Sequence, residues 1–231
     1  MYSWLTEHKI PLGSTIKTVV DFLNQHAQWL FDWISLVLGT MIDGLTVCLL
    51  AVPPLALVAV FAAIAYALHR SFKLAAFTAI AFLLVINLGY WQPTMETLSL
   101  VIWATLVCVV IGVPVGIAAA HRPWLYTVMR PILDLMQTIP TFVYLIPTLV
   151  LFGLGTVPGL ISTVIFAIPA PIRLTHLGIT SVPAQLREAG QAFGATRRQL
   201  LYKVELPHAL PTIMAGVTQC IMLSLSLVVI A

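Results

Sequence analysis

The chain has 231 residues, of which 60% are hydrophobic and 8% charged, with a mean hydropathy of +1.03 and a formal net charge of +3. Soluble domains carry about 25% charged residues, so a globule surrounded by water is excluded and the solvent is lipid. The small positive charge follows membrane topology rather than a nucleic-acid surface, and no nucleic-acid partner is expected.

Residues 1–44 differ from the rest. Over 15–42, Ile16, Val19, Val20, Leu23, Ala27, Leu30, Phe31 and Ile34 recur at helical spacing, with Lys17, Asp21, Asn24, Gln25, Gln28 and Asp32 between them. Trp29 and Trp33 are placed like interfacial anchors. The pattern predicts an extracytoplasmic amphipathic helix, lying either on the membrane surface or on the protein's own outer face; an apolar stripe alone does not separate the two.

Six apolar runs follow, at about 45–68, 73–90, 97–120, 132–154, 158–178 and 210–231. A spanning helix needs roughly 20 apolar residues. Backbone groups in lipid must be satisfied internally and these runs are too long for barrel strands, so the expectation is an all-α polytopic membrane protein. Residues 45–93 supply two helices that precede a larger unit, 94–231. Pro53-Pro54 predicts a first span that is kinked or begins as two pieces. Gly89–Pro93 and Gly153–Gly159 read as outer turns, and His121-Arg122-Pro123 as the inner end of the third span. Gly112 and Gly116 form a small-xxx-small pair that lets helices approach closely.

With alternating spans, Arg70, Lys73, Arg122, Arg130, Arg173, Arg187, Arg197, Arg198 and Lys203 fall on one side and Lys9 and Lys17 on the other. That asymmetry places the N-terminus outside. Cys48, Cys108 and Cys220 each sit alone in an apolar run without metal spacing and read as packing residues. No basic segment followed by an apolar core opens the chain, so no cleavable signal peptide is expected. The last apolar run is still open at Ala231, which looks like a fragment of a longer protein.

The most informative stretch is 181–207, SVPAQLREAGQAFGATRRQLLYKVELP, a polar island between apolar runs. Ser181 can cap a helix that starts at Pro183, with Leu186, Ala189, Gly190 and Phe193 on one face. Gly194 is suited to end that helix in a left-handed conformation. Thr196 can cap a second short helix carrying Leu200, Leu201 and Val204, which Pro207 stops before the last span. The physics of the stretch is helix, glycine turn, helix.

Glu188-Ala189-Gly190, then Gly194, then Leu206-Pro207 keep a fixed register that closely resembles the "EAA" coupling loop of permeases of bacterial ABC importers. The chain from about Thr97 resembles the type I importer transmembrane domain. Asp134–Pro147, Leu151–Gly159 and Leu210–Val217 resemble permeases of the glycine betaine, proline betaine and choline uptake systems. Gly190 stands where the family has a second alanine, at a cost of about 1 kcal/mol of helix propensity, and Val204 stands for the usual isoleucine. The family has at least one further helix after this last one.

The resemblance implies a permease subunit in the bacterial inner membrane, with choline as the first substrate candidate and glycine betaine or proline betaine next. It also implies three partners: a separate ATP-binding subunit, a second permease copy and an extracytoplasmic substrate-binding protein. Glu188, Ala189, Gly190, Phe193, Gly194, Leu206 and Pro207 are then the ATPase-coupling residues. The chain has no G-x-x-x-x-G-K-[ST] motif, so ATP and magnesium are expected on the partner and no cofactor on this chain.

For the translocation path, the proline-broken stretch 136–147 offers Gln137, Thr138, Pro140, Thr141, Phe142 and Tyr144, with Trp103 as a further aromatic face for a quaternary amine. Helix packing is the competing use of each of these residues. Asp134, near the inner boundary, reads either as a functional acid or as the local ion-pair partner of Arg130. An ABC permease for another small solute such as an amino acid is the alternative. An ion-coupled carrier would need an acid or histidine at mid-span, and an enzyme a nucleophile–base pair; the sequence offers neither.

Overall fold

The computed structural model describes residues 12–228, and among these every regular element is helical. Lys9 with the rest of the first eleven residues of the expected N-terminal segment, and the last three residues of the 210–231 run, lie outside the described residues. In chain order the helices are α1 (Leu12–Ala51), α2 (Pro54–His69), α3 (Phe72–Asn87), α4 (Trp91–His121), α5 (Pro123–Thr138), α6 (Thr141–Phe152), α7 (Thr156–Ala167), α8 (Pro169–Thr180), α9 (Ala184–Ala192), α10 (Arg197–Leu200) and α11 (Leu206–Val228). A π-helical turn, Leu201–Glu205, joins α10 to α11.

The core is built by α4, α7, α8 and α11. Cys108 of α4, Ala167 of α7 and Cys220 of α11 pack together, so two cysteines that stand alone in sequence share one buried cluster. Ile179 of α8 meets Ala209 and Ile213 of α11. Small residues permit this closeness: a Cβ on Gly112 would lie 2.9 Å from Pro171 Cγ, and one on Gly116 2.7 Å from the Ile172 carbonyl oxygen. The small-xxx-small expectation is met against α8. Pro169 and Pro171 sit in the first turn of α8, where no backbone donor is needed, so 156–180 continues as one length able to span.

Several expectations change. The segment 15–42 belongs to a 40-residue helix that runs through residue 44 without a break, and its 25–51 part is itself long and apolar enough to cross a membrane. The chain breaks instead at Val52–Pro53, so the 45–68 run is divided, as Pro53-Pro54 suggested. The α2–α3 hairpin is made of two 16-residue helices, each about 24 Å long and short of the roughly 30 Å hydrocarbon core. Among the described residues four helical lengths meet the criteria for a span, or five if the bent pair α5–α6, described next, is taken as one, against the six runs expected.

The 132–154 run is not a straight span. The chain enters α5 at Pro123, and α5 and α6 meet at 93° across Ile139–Pro140. Pro140 caps α6 with an extended backbone, which the ring of proline favours, and Ile139 before it is extended too. Pro147 stays inside α6 without ending it. The outer turn is confined to Gly153–Gly155, because α7 begins at Thr156 and buries Pro158 and Gly159.

α1 leans on the end of the bundle opposite α9 and α10. Ser99 Oγ donates to the Ile42 carbonyl at 2.8 Å and Trp103 Nε1 to the Met41 carbonyl at 2.9 Å. Ile42 packs with Leu100, Ala104 and Leu160, while Trp29 and Trp33 remain exposed.

Candidate functional site: the polar hairpin and the bent α5–α6 segment

The polar island folds as helix, turn and helix. α9 begins after Pro183 without a side-chain cap; Ser181, expected to cap it, donates instead to the Gly178 carbonyl at 2.8 Å and closes α8. The reason is local: a proline at the cap position supplies the required backbone by itself and Ser181 is left beside the orphan carbonyls of the preceding helix. Gly194 turns the chain at φ +76°, a left-handed conformation that glycine adopts without a Cβ clash. Thr196 caps α10 in a reciprocal box with Gln199, each side chain bonding the other's backbone N–H.

Pro207 does not stop the second helix. Leu201–Glu205 widens into a π turn in which the Leu206 N–H reaches the Leu201 carbonyl, and the helix continues from Arg197 to Val228. Proline has no N–H to offer, and one wide turn just ahead of it absorbs that missing bond without ending the helix. The second arm of the hairpin is therefore continuous with the last span.

Gly190 faces the second arm: a Cβ there would come within 2.8 Å of Leu200 Cδ1 and 3.7 Å of Val204. Leu206 packs at the edge of the Ile179–Ala209–Ile213 cluster. Leu186, Glu188 and Ala189 are exposed, and Phe193 at the tip is 93% exposed. The expected apolar face is thus split, with Gly190 turned inward and Leu186 and Phe193 outward. Behind the hairpin lies a cavity of about 680 Å³ lined by Arg187, Glu188, Arg197, Arg198, His121 and Glu205 among others.

The bent segment brings part of the second residue set together. Tyr144 folds back over the break and donates to the Met136 carbonyl at 3.0 Å. Thr138 donates to the Leu135 carbonyl at 3.2 Å. Gln137 and Thr141 are partly buried, and Pro140 and Phe142 are exposed. Trp103 is held against α1, and among the described residues no ring contact joins Trp103, Phe142 and Tyr144. Thr148 on α6 shares a 2.8 Å hydrogen bond with Ser162 on α7.

Three relationships escape a reading by sequence. Asp134 pairs with Arg173 on α8 at 2.7 Å rather than with Arg130. Tyr126 stacks on His176 with ring centroids 3.6 Å apart. His121 meets Glu205 at 2.8 Å. Each joins residues far apart in the chain, and the only sequence signal was a polar group in an apolar neighbourhood.

A bundle of apolar helices, several of them long enough to span, with a polar hairpin at one end defines a multi-pass membrane protein. The chain belongs to the family described as binding-protein-dependent transport system inner membrane components, whose model matches residues 112–231. It is 46% identical over 223 residues to the glycine betaine transport system permease protein OpuAB of Bacillus subtilis, covering 96% of this chain and 79% of that protein. It is 45% identical to the glycine betaine/proline betaine transport system permease protein ProW of Escherichia coli, covering 96% of this chain and 62% of ProW. Against the glycine betaine/carnitine transport permease protein GbuB of Listeria monocytogenes the identity is 42%, over 96% of this chain and 79% of the relative.

Proposed function

We propose that this chain is the permease subunit of an ATP-driven importer for a quaternary ammonium compound. Glycine betaine is the first candidate, because OpuAB, ProW and GbuB are all named for it; choline, the expectation from sequence, becomes the second. The permease is read as forming the translocation path and as drawing work from a separate ATP-binding subunit. A substrate-binding protein outside the membrane and a second permease copy complete the proposed complex.

The observation that carries the coupling is Phe193. A 93% exposed phenylalanine on a glycine turn, ahead of a helix continuous with α11, is an anchor without a home in its own chain. Buried aromatic anchors dominate protein–protein contacts. Phe193 is thus read as the group that enters the ATP-binding subunit, with Glu188, Ala189 and Gly194 shaping its presentation and Gly190, Leu206 and Pro207 linking the hairpin to α11.

The path is read as passing the bend at Ile139–Pro140. There the backbone of α5 and α6 turns at 93°, which in lipid is tolerated only beside protein or water. Gln137, Thr138, Thr141, Phe142 and Tyr144 are the candidate contacts; Trp103 reads better as packing for α1. The test is uptake of labelled glycine betaine by the full-length permease reconstituted with its ATP-binding and substrate-binding subunits, with and without ATP and with choline as competitor. ATP-dependent uptake that glycine betaine saturates supports the reading. Uptake that persists without the ATP-binding subunit overturns it.

A further inference from the structure

Glu205 is the one buried acid or base among the described residues, at 3% exposure. It closes the π turn between the hairpin and α11, and its Oε2 lies 2.8 Å from Nε2 of His121, the last residue of α4. The other ring nitrogen, Nδ1, lies 3.0 Å from the Ile117 carbonyl oxygen. A carbonyl only accepts, and so does an ionised carboxylate. Both contacts are therefore complete only when the pair carries one proton more than a neutral imidazole beside a carboxylate. The proton sits between two interacting sites and belongs to the pair.

The pair bridges elements 84 residues apart. α4 is locked to α8 through Gly112 and Gly116, and Glu205 sits at the root of the polar hairpin. We infer that His121 and Glu205 are positioning residues whose proton-bound contact fastens the root of the hairpin to α4, so that displacement of the hairpin moves the core helices. This rests on the coupling role proposed above for the hairpin.

The surroundings bear on the charge. Arg187 and Glu188 of α9 and Arg197 and Arg198 of α10 line the same cavity, and Arg122 and Lys203 adjoin in the chain. A buried carboxylate left without its partner is strongly unfavourable.

The test uses the complete transporter in proteoliposomes, reading labelled glycine betaine taken up per ATP hydrolysed. His121→Gln and Glu205→Gln are expected to lower this ratio by about three- to thirtyfold, with the ATP-binding subunit still bound. His121→Lys, which keeps a cationic donor opposite Glu205, is expected to recover the ratio. An unchanged ratio in both glutamine variants overturns the inference, as does His121→Lys behaving like His121→Gln. A Phe193→Asp control separates the two readings. If it too binds the ATP-binding subunit and transports normally, the coupling role of the hairpin has failed; if it alone is defective, only the clasp has.

Discussion

Arg173 donates through Nη2 to Asp134 Oδ1 at 2.7 Å, tying the amphipathic helix α5 to α8 across 39 residues of chain. Both side chains are part-exposed, so the pair contributes no more than about 1 kcal/mol to stability. Its weight is in geometry, because α5 is the arm that ends at the 93° bend.

Reversing one charge should therefore lower uptake by loosening α5, and the swapped pair should restore it. Asp134→Arg and Arg173→Asp are each expected to reduce uptake, and the double variant to recover most of it. A double-mutant cycle on initial uptake rates checks this; strict additivity of the two defects would show that the contact does not hold α5.

Gly116 is expected to tolerate no side chain. A Cβ there meets the Ile172 carbonyl oxygen and Thr175 Cβ, both at 2.7 Å, and a backbone oxygen in the core does not step aside. Gly116→Ala should cost about 1–3 kcal/mol as overpacking, whereas Gly44→Ala, with nothing within 4 Å, should be neutral or stabilising. Thermal unfolding of the two purified variants in detergent compares them directly.

In the hairpin the two glycines should differ. Gly194→Ala places a Cβ in a left-handed conformation, costing roughly 1–2 kcal/mol, and should weaken retention of the ATP-binding subunit. Gly190→Ala meets only the flexible tip of Leu200 at 2.8 Å, and alanine is the better helix former by about 1 kcal/mol, so its effect should be smaller. Co-purification of the ATP-binding subunit with each variant measures the difference.

Thr148→Val removes the hydroxyl that pairs with Ser162 and should release α6 from α7 by about 0.6 kcal/mol, a typical value for such bonds between membrane helices. Thr148→Ser should keep it. A lower unfolding midpoint for the valine variant alone is the expected readout.

The sequence by itself determined the class. Composition forced lipid as solvent, period and length forced helices, and the register from Glu188 through Gly194 to Leu206-Pro207 marked the hairpin, because turn glycines, caps and apolar runs are local properties of a few neighbouring residues. Only the tertiary structure decided how the pieces meet. That Asp134 answers Arg173 and that His121 answers Glu205 depends on residues tens of positions apart being brought within hydrogen-bond reach. In an apolar chain with few charges, the partner of a polar group is set by which helices pack together, and no local pattern records that choice.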